Sequence, residues 1–268
     1  MVQVRLGVVL TCVLALLLSG IPVGAQQTSP TDEKKSEEQA MAVLKRMAEF
    51  LSQAQGFSVT VDLGFDAVQD SGQKIEFGET RKIVLRRPDH LRIDATKRDG
   101  SKSELIFNGK EIALFYAKEN VYATEAKPGS VDEAIAYFVN DLDMRLPLAE
   151  LLNSNLYKGL SEQVRTAAYV EQAQIADVPC DHIAFRGDQA DLQLWVAQGN
   201  QPLPQRAVIT YKREDGRPQF WANFTKWNLA PKVPDSLFTF TPPKGAAKIA
   251  FSPRQMMLPG ETKTKGGQ

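Results

Sequence analysis

Cys180 and His182 stand two residues apart in a segment that alternates like a strand, which puts thiol and imidazole on one face. Cysteine nucleophiles use that pairing, because a neighbouring base draws the sulfur toward thiolate. Neither an orienting group nor an oxyanion loop can be named beside the pair, and Ile183 and Phe185 hold the opposite, core-side parity. Packing is therefore the preferred reading, and a Cys180-dependent enzyme is kept only as an alternative. Asp177, Asp181, Asp188 and Asp191 lack the spacing and closing glutamate of a calcium loop, so turn chemistry accounts for them. With two cysteines and with His90 and His182 the only histidines, no metal centre and no cofactor is expected.

A second group of residues suits binding rather than bond making. Arg81, Lys82, Arg86, Arg87, Arg92, Lys97, Arg98 and Lys102 make one stretch basic, and Lys82 and Arg86 share strand parity on an outer face. Such a stripe attracts acidic headgroups or an acidic partner. It also keeps long sheets from pairing at their edges, which is the preferred reading. Over the whole chain 32 basic groups balance 32 acidic ones, which removes the usual electrostatic reason to bind nucleic acid. Trp195, Trp221 and Trp227 cluster late in the chain. On simple alternation Phe220 and Phe224 face one way and Trp221 and Trp227 the other, so one set is expected at a rim, as a contact surface or under a loop.

The elements that must position these groups follow from periodicity. Residues 1–25 have the form of a signal peptide: Arg5, an apolar run from Leu6 to Leu18, then Val23-Gly24-Ala25 before a cut after Ala25. The run is shorter than the roughly 20 residues a membrane span needs, so an exported protein that is not integral to a membrane is expected. Its removal leaves Cys180 as the one thiol, with no internal disulfide. Residues 26–36 read as a flexible leader, followed by a helix capped by Ser36 with Gln39 and stopped near Gly56. From Phe57 the period becomes 2. Six strands with turns at Asp99-Gly100, Asn108-Gly109 and Glu119-Asn120 form a meander, with Glu79 and Arg81 breaking its apolar alternation. Helical signals occupy residues 131–157, with Ser130 as cap. Five more strands follow, and Phe238-Thr239-Phe240 adds an edge piece. The tail from residue 252 to 268 has no period.

About eleven strands at roughly 4.8 Å spacing make a sheet near 50 Å wide, and each helix covers only about 10 Å of it. The sheet must therefore curl so that its inner face partly covers itself. The inner space is then either filled by side chains or left as an apolar hollow that accepts an acyl chain.

The run Ile83-Val84-Leu85-Arg86-Arg87-Pro88-Asp89-His90-Leu91-Arg92-Ile93, with the Phe107-Asn108-Gly109-Lys110 hairpin, resembles the lipoprotein carrier and receptor superfamily, LolA/LolB-like. Leu192 to Val196, Pro202 to Arg206, Val208 to Tyr211 and Phe238 to Ala246 resemble more closely an uncharacterised bacterial family of predicted periplasmic proteins within it. The resemblance covers residues 40–251 and implies an α+β fold: a strongly curved antiparallel sheet, an unclosed half-barrel, with helices on its concave side. Residues 37–251 are read as that single domain. It further implies a periplasmic, non-enzymatic protein whose partner is a lipid or acylated protein, or else an envelope protein recognised by an interaction or sensor module. The expected interior lining is Val61, Leu63, Phe65, Ile83, Leu85, Leu91, Ile93, Leu105, Phe107, Leu114, Tyr116, Leu194, Phe220 and Phe224.

Overall fold

The computed structural model describes residues 30–252, so the expected signal peptide and nearly all of the expected tail lie outside the described residues. The strands run β1 Gly56–Val68, β2 Lys74–Arg86, β3 His90–Lys97, β4 Lys102–Phe107, β5 Glu111–Tyr116, β6 Val121–Ala126, β7 Thr166–Ile175, β8 Val178–Arg186, β9 Ala190–Ala197, β10 Pro204–Tyr211, β11 Gln219–Asn228 and β12 Ala247–Lys248. They form one unclosed sheet in the order β12-β6-β5-β4-β3-β2-β1-β11-β10-β9-β8-β7. Every pairing is antiparallel except β12 on β6. Two meanders, β1–β6 and β7–β11, thus join where β1 pairs with β11. The twelfth strand is a two-residue addition to the expected set.

The alternation in β1 carries directly into burial: Phe57, Val59, Val61, Leu63, Phe65 and Ala67 all face the concave side and are buried. Strand register spreads this parity across the half-barrel as rungs. The deepest joins Phe57, Leu85, Leu91, Phe107 and Ile112, and the next joins Val59, Ile83, Ile93, Leu105, Leu114 and Ala123. Both are apolar from β1 to β5; on β6 the deepest ends in Glu125 and the next in Ala123.

Helix α1, Pro30–Gln53, buries Ala40, Val43, Leu44, Met47, Ala48 and Leu51 and packs on β7 and β8. It starts earlier than the sequence suggests. Residues 30–36 are helical rather than a flexible leader, since Pro30 opens the helix and Asp32 and Glu33 lie in its first turn, where the helix dipole favours acids. Ser36 is therefore not a cap. Its hydroxyl donates to the Tyr169 carbonyl (3.2 Å) and accepts from the Tyr169 N–H (2.9 Å), beside the bulge at Tyr169–Glu171 of β7. Helix α2, Val131–Ala136, does carry the expected cap at Ser130, and the cap is a full capping box in which Ser130 and Glu133 exchange hydrogen bonds. A π-helical turn over Tyr137–Asp141 and a 3-10 turn over Ala149–Leu152 continue this segment, and a short α3, Leu156–Ser161, completes it.

Two expectations for the second half of the chain fail. Phe238-Thr239-Phe240 is not an edge strand. Asp235–Phe238 is a 3-10 turn, and the segment straps the convex face, where buried Phe238 joins Val84 and Ile106. Trp227 does not share the face of Trp221. The β1–β11 register slips between Ser58 and Thr60, with Lys226 at φ 54°, and this bulge turns Trp227 inward against Phe57 (5.3 Å) and Phe224 (6.0 Å). Trp221 stays outside, lying over Gly64, where a Cβ would come within 2.6 Å of its indole.

Candidate ligand-binding site

The trough is filled unequally. Under α1, the β7–β10 side is packed solid through residues such as Leu44, Leu51, Ile183, Leu194 and Ala207. On the β1–β6 side a hollow of about 470 Å³ remains, within the roughly 300–1,000 Å³ typical of ligand pockets. Its floor is the sheet, and its roof comes from Ala134 and Ile135 of α2, Phe138, and the stretch Met144 to Leu152.

Of the expected lining, Val61, Leu63, Ile83, Leu91, Ile93, Leu105, Phe107, Leu114, Tyr116 and Phe220 do border this hollow. Leu85, Leu194, Phe65 and Phe224 do not. Leu85 is fully buried in the core, and Leu194 lies on the α1 side next to Ile183. Phe65 stacks on Phe77 near the β1–β2 turn, and Phe224 is covered by Trp227. The roof residues and Trp227 were not foreseen as lining. The helical face of residues 131–142 signalled burial, but parity on one strand does not say which half of the sheet a helix will roof.

The charged residues that interrupt β2 stay in phase. Glu79 and Arg81 point into the trough with Val61 and Leu63 opposite them, and Glu79 is only 4% exposed. Arg81 Nε donates to Glu79 Oε1 at 2.5 Å. Their ion pair offsets the cost of placing charge on an apolar wall. Across the rung, Arg81 is followed by Ala95, Ser103 and Tyr116, all bordering the hollow. Tyr116 Oη is buried without a hydrogen-bond partner among the described residues. Burial, with Glu119 nearby, holds its pKa above the usual phenol value, so it remains a proton donor.

Arg87, just after β2, ties the sheet to the helical segment: its Nη2 donates to the Asn153 carbonyl (3.4 Å) and its Nη1 lies 3.8 Å from Asp132. Burial lowers its pKa, and Asp132 opposes that shift. Lys97 and Lys102 border the hollow, while Arg86 and Arg92 are occupied outside. Arg86 pairs with Asp235 (2.7 Å), and Arg92 bridges Asp94, Glu104 and the Leu237 carbonyl, so both fasten the strap instead of forming a free basic stripe.

The Cys180–His182 pair shows the geometry of packing. Both lie on the convex parity, as expected, yet Cys180 is fully buried and donates to the Val178 carbonyl (3.3 Å). Desolvation raises its pKa, the opposite of an activated thiolate. His182 stacks on Trp195 at 4.0 Å, its Nε2 meets Gln193 Oε1, and burial lowers its pKa. Asp181 is not a turn residue: it faces inward and accepts from Arg46, Tyr169 and Gln198. Asp188 and Asp191 pair with Arg165 and Lys212. Among the described residues no group of three or more His, Cys, Asp or Glu is placed to hold a metal.

A half-barrel with a partly filled trough defines the structural class. Residues 40–252 match the family described as "Predicted periplasmic protein (DUF2092)", and the chain belongs to that family. A search of the curated proteins finds no match. Among solved structures the chain is similar to lipoprotein LppX of Mycobacterium tuberculosis (15% identity, TM-score 0.47), covering 74% of this chain and 100% of that one. It is also similar to LprF of Mycobacterium bovis (13%, TM-score 0.47; 79% and 99% covered) and to a LolA superfamily protein of Nitrosomonas europaea (13%, TM-score 0.38; 75% and 97% covered). At these scores and identities the likenesses carry no reading of activity or ligand. Among the described residues no helix is long and apolar enough to cross a membrane.

Proposed function

We propose that this protein is exported and works without catalysis, holding an acyl chain or similar apolar ligand inside the half-barrel. The hollow of about 470 Å³ carries the reading, because its inner walls are mainly Leu, Ile, Phe and Val side chains that lose contact energy while unfilled. Family membership and the signal-peptide pattern of residues 1–25 support a periplasmic setting. The buried thiol of Cys180 weighs against a nucleophile. Full-length protein purified from an envelope fraction, then examined by native mass spectrometry and solvent extraction, is expected to carry a lipid-sized adduct. Repeated recovery of protein free of adduct, together with no uptake of an added fatty acid, overturns the proposal.

A further inference from the structure

The hollow is not uniformly apolar along the strands. The two inner rungs are hydrocarbon from β1 to β5, whereas the next one outward runs Val61, Arg81, Ala95, Ser103, Tyr116, Val121. On this rung two long side chains with polar tips flank two small residues. β2 and β5 are three strand spacings apart, about 14 Å. Arg and Tyr are long enough to lean toward each other over Ala95 and Ser103, leaving a shallow polar seat above a greasy well. The rung beyond it carries Glu79 with Lys97 directly across the strand.

Around the hollow Arg81, Lys97 and Lys102 balance Glu79, Glu104 and Glu119. Glu79 pairs with Arg81 on its own strand and has Lys97 across from it on the next. It accepts from Arg81 Nε, while the guanidinium has further N–H donors on its two Nη atoms. Tyr116 Oη adds a hydroxyl donor with no partner among the described residues. Glu119 is the other acid at this end, and Glu104 is taken by Arg92.

We infer that the Arg81–Tyr116 rung is the headgroup seat for a single-chain amphiphile bearing a terminal anion, a carboxylate or a phosphate, whose tail lies along the two inner rungs. This rests on the hollow being a ligand site, and it adds polarity, chain count and direction to that reading. At about 470 Å³ the hollow lies in the lower half of the usual ligand-pocket range of roughly 300–1,000 Å³, which favours one chain. An anion at Arg81 gains charge-assisted hydrogen bonds in a site partly screened from water.

The test is equilibrium binding of three probes with matched sixteen-carbon chains: palmitate, a palmitoyl lysophosphatidic acid and 1-hexadecanol. Both anions are expected to bind on the order of tenfold or more tightly than the alcohol. Whichever of the two binds more tightly identifies carboxylate or phosphate as the source. Arg81→Met should remove the preference while leaving hexadecanol binding intact. Arg81→Met with Glu79→Gln serves the same purpose without a stranded carboxylate, should the single variant misfold. Tyr116→Phe should weaken the anions more than the alcohol. Equal affinity for all three probes in the native protein overturns the seat and leaves the apolar site standing. Failure of all three overturns both.

Discussion

Single residues in this protein mostly declare their role through burial. His182 is 8% exposed, stacked on Trp195, with Glu171 4.0 Å from its Nδ1. Desolvation is the largest influence on it and lowers its pKa below 6.5, with Gln193 and Glu171 opposing. A lowered folded value means that the unfolded chain binds the proton more readily. The stability linked to His182 is therefore complete above pH 6.5 and declines as pH falls through that value toward the folded one. His182→Gln is expected to flatten the fall in Tm between neutral pH and pH 5, read by thermal melts across that range. Gly64 makes a similar point sterically. A Cβ there would stand 2.6 Å from the Trp221 indole, which also donates to Glu76 at 3.1 Å. Gly64→Ala should shift tryptophan emission and cost about 1–3 kcal/mol by chemical denaturation.

At the scale of elements, what matters is which pieces cover which face. The strap over the convex side depends on Phe238, which is 1% exposed and lies against His90 and under the Arg86 guanidinium. Phe238→Ala should cost about 3–5 kcal/mol, the usual range for emptying a buried aromatic site, and should raise hydrogen exchange over residues 231–240. The strands and most of their inward faces were legible from alternation, and the α2 cap from Ser130. The strap was not. Phe238-Thr239-Phe240 has the look of a strand, and only the convex apolar spots Val84 and Ile106 show that a partner is needed there. Trp227 was misplaced because a bulge resets parity, and a residue with φ near 54° leaves no mark when it is a lysine.

For the molecule as a whole, the decisive matter is how the trough divides between core and hollow. Two leucines expected to line it now separate. Leu85 is fully buried in packed core, so Leu85→Asp should destabilise by several kcal/mol and impair folding, as seen in circular dichroism melts. Leu105 is only partly buried and borders the hollow, so Leu105→Asp should keep the fold at a smaller cost while reducing uptake of an apolar fluorescent probe. If both variants lose the same stability, the hollow is packed in solution.

The sequence by itself determined the faces of the strands. A period of 2 is a local property, written residue by residue, and it holds wherever no bulge resets it. It also determined that the helices were too few to cover such a sheet. Only the tertiary structure decided that α1 would fill the β7–β10 half and leave the β1–β6 half open, because that choice depends on contacts between segments more than a hundred residues apart, such as Ser36 with Tyr169. It alone turned Glu79 and Arg81, which look like flaws in an apolar strand, into an inward ion pair at the polar end of a greasy well. Parity fixes where a side chain points; what it meets there is set by long-range packing.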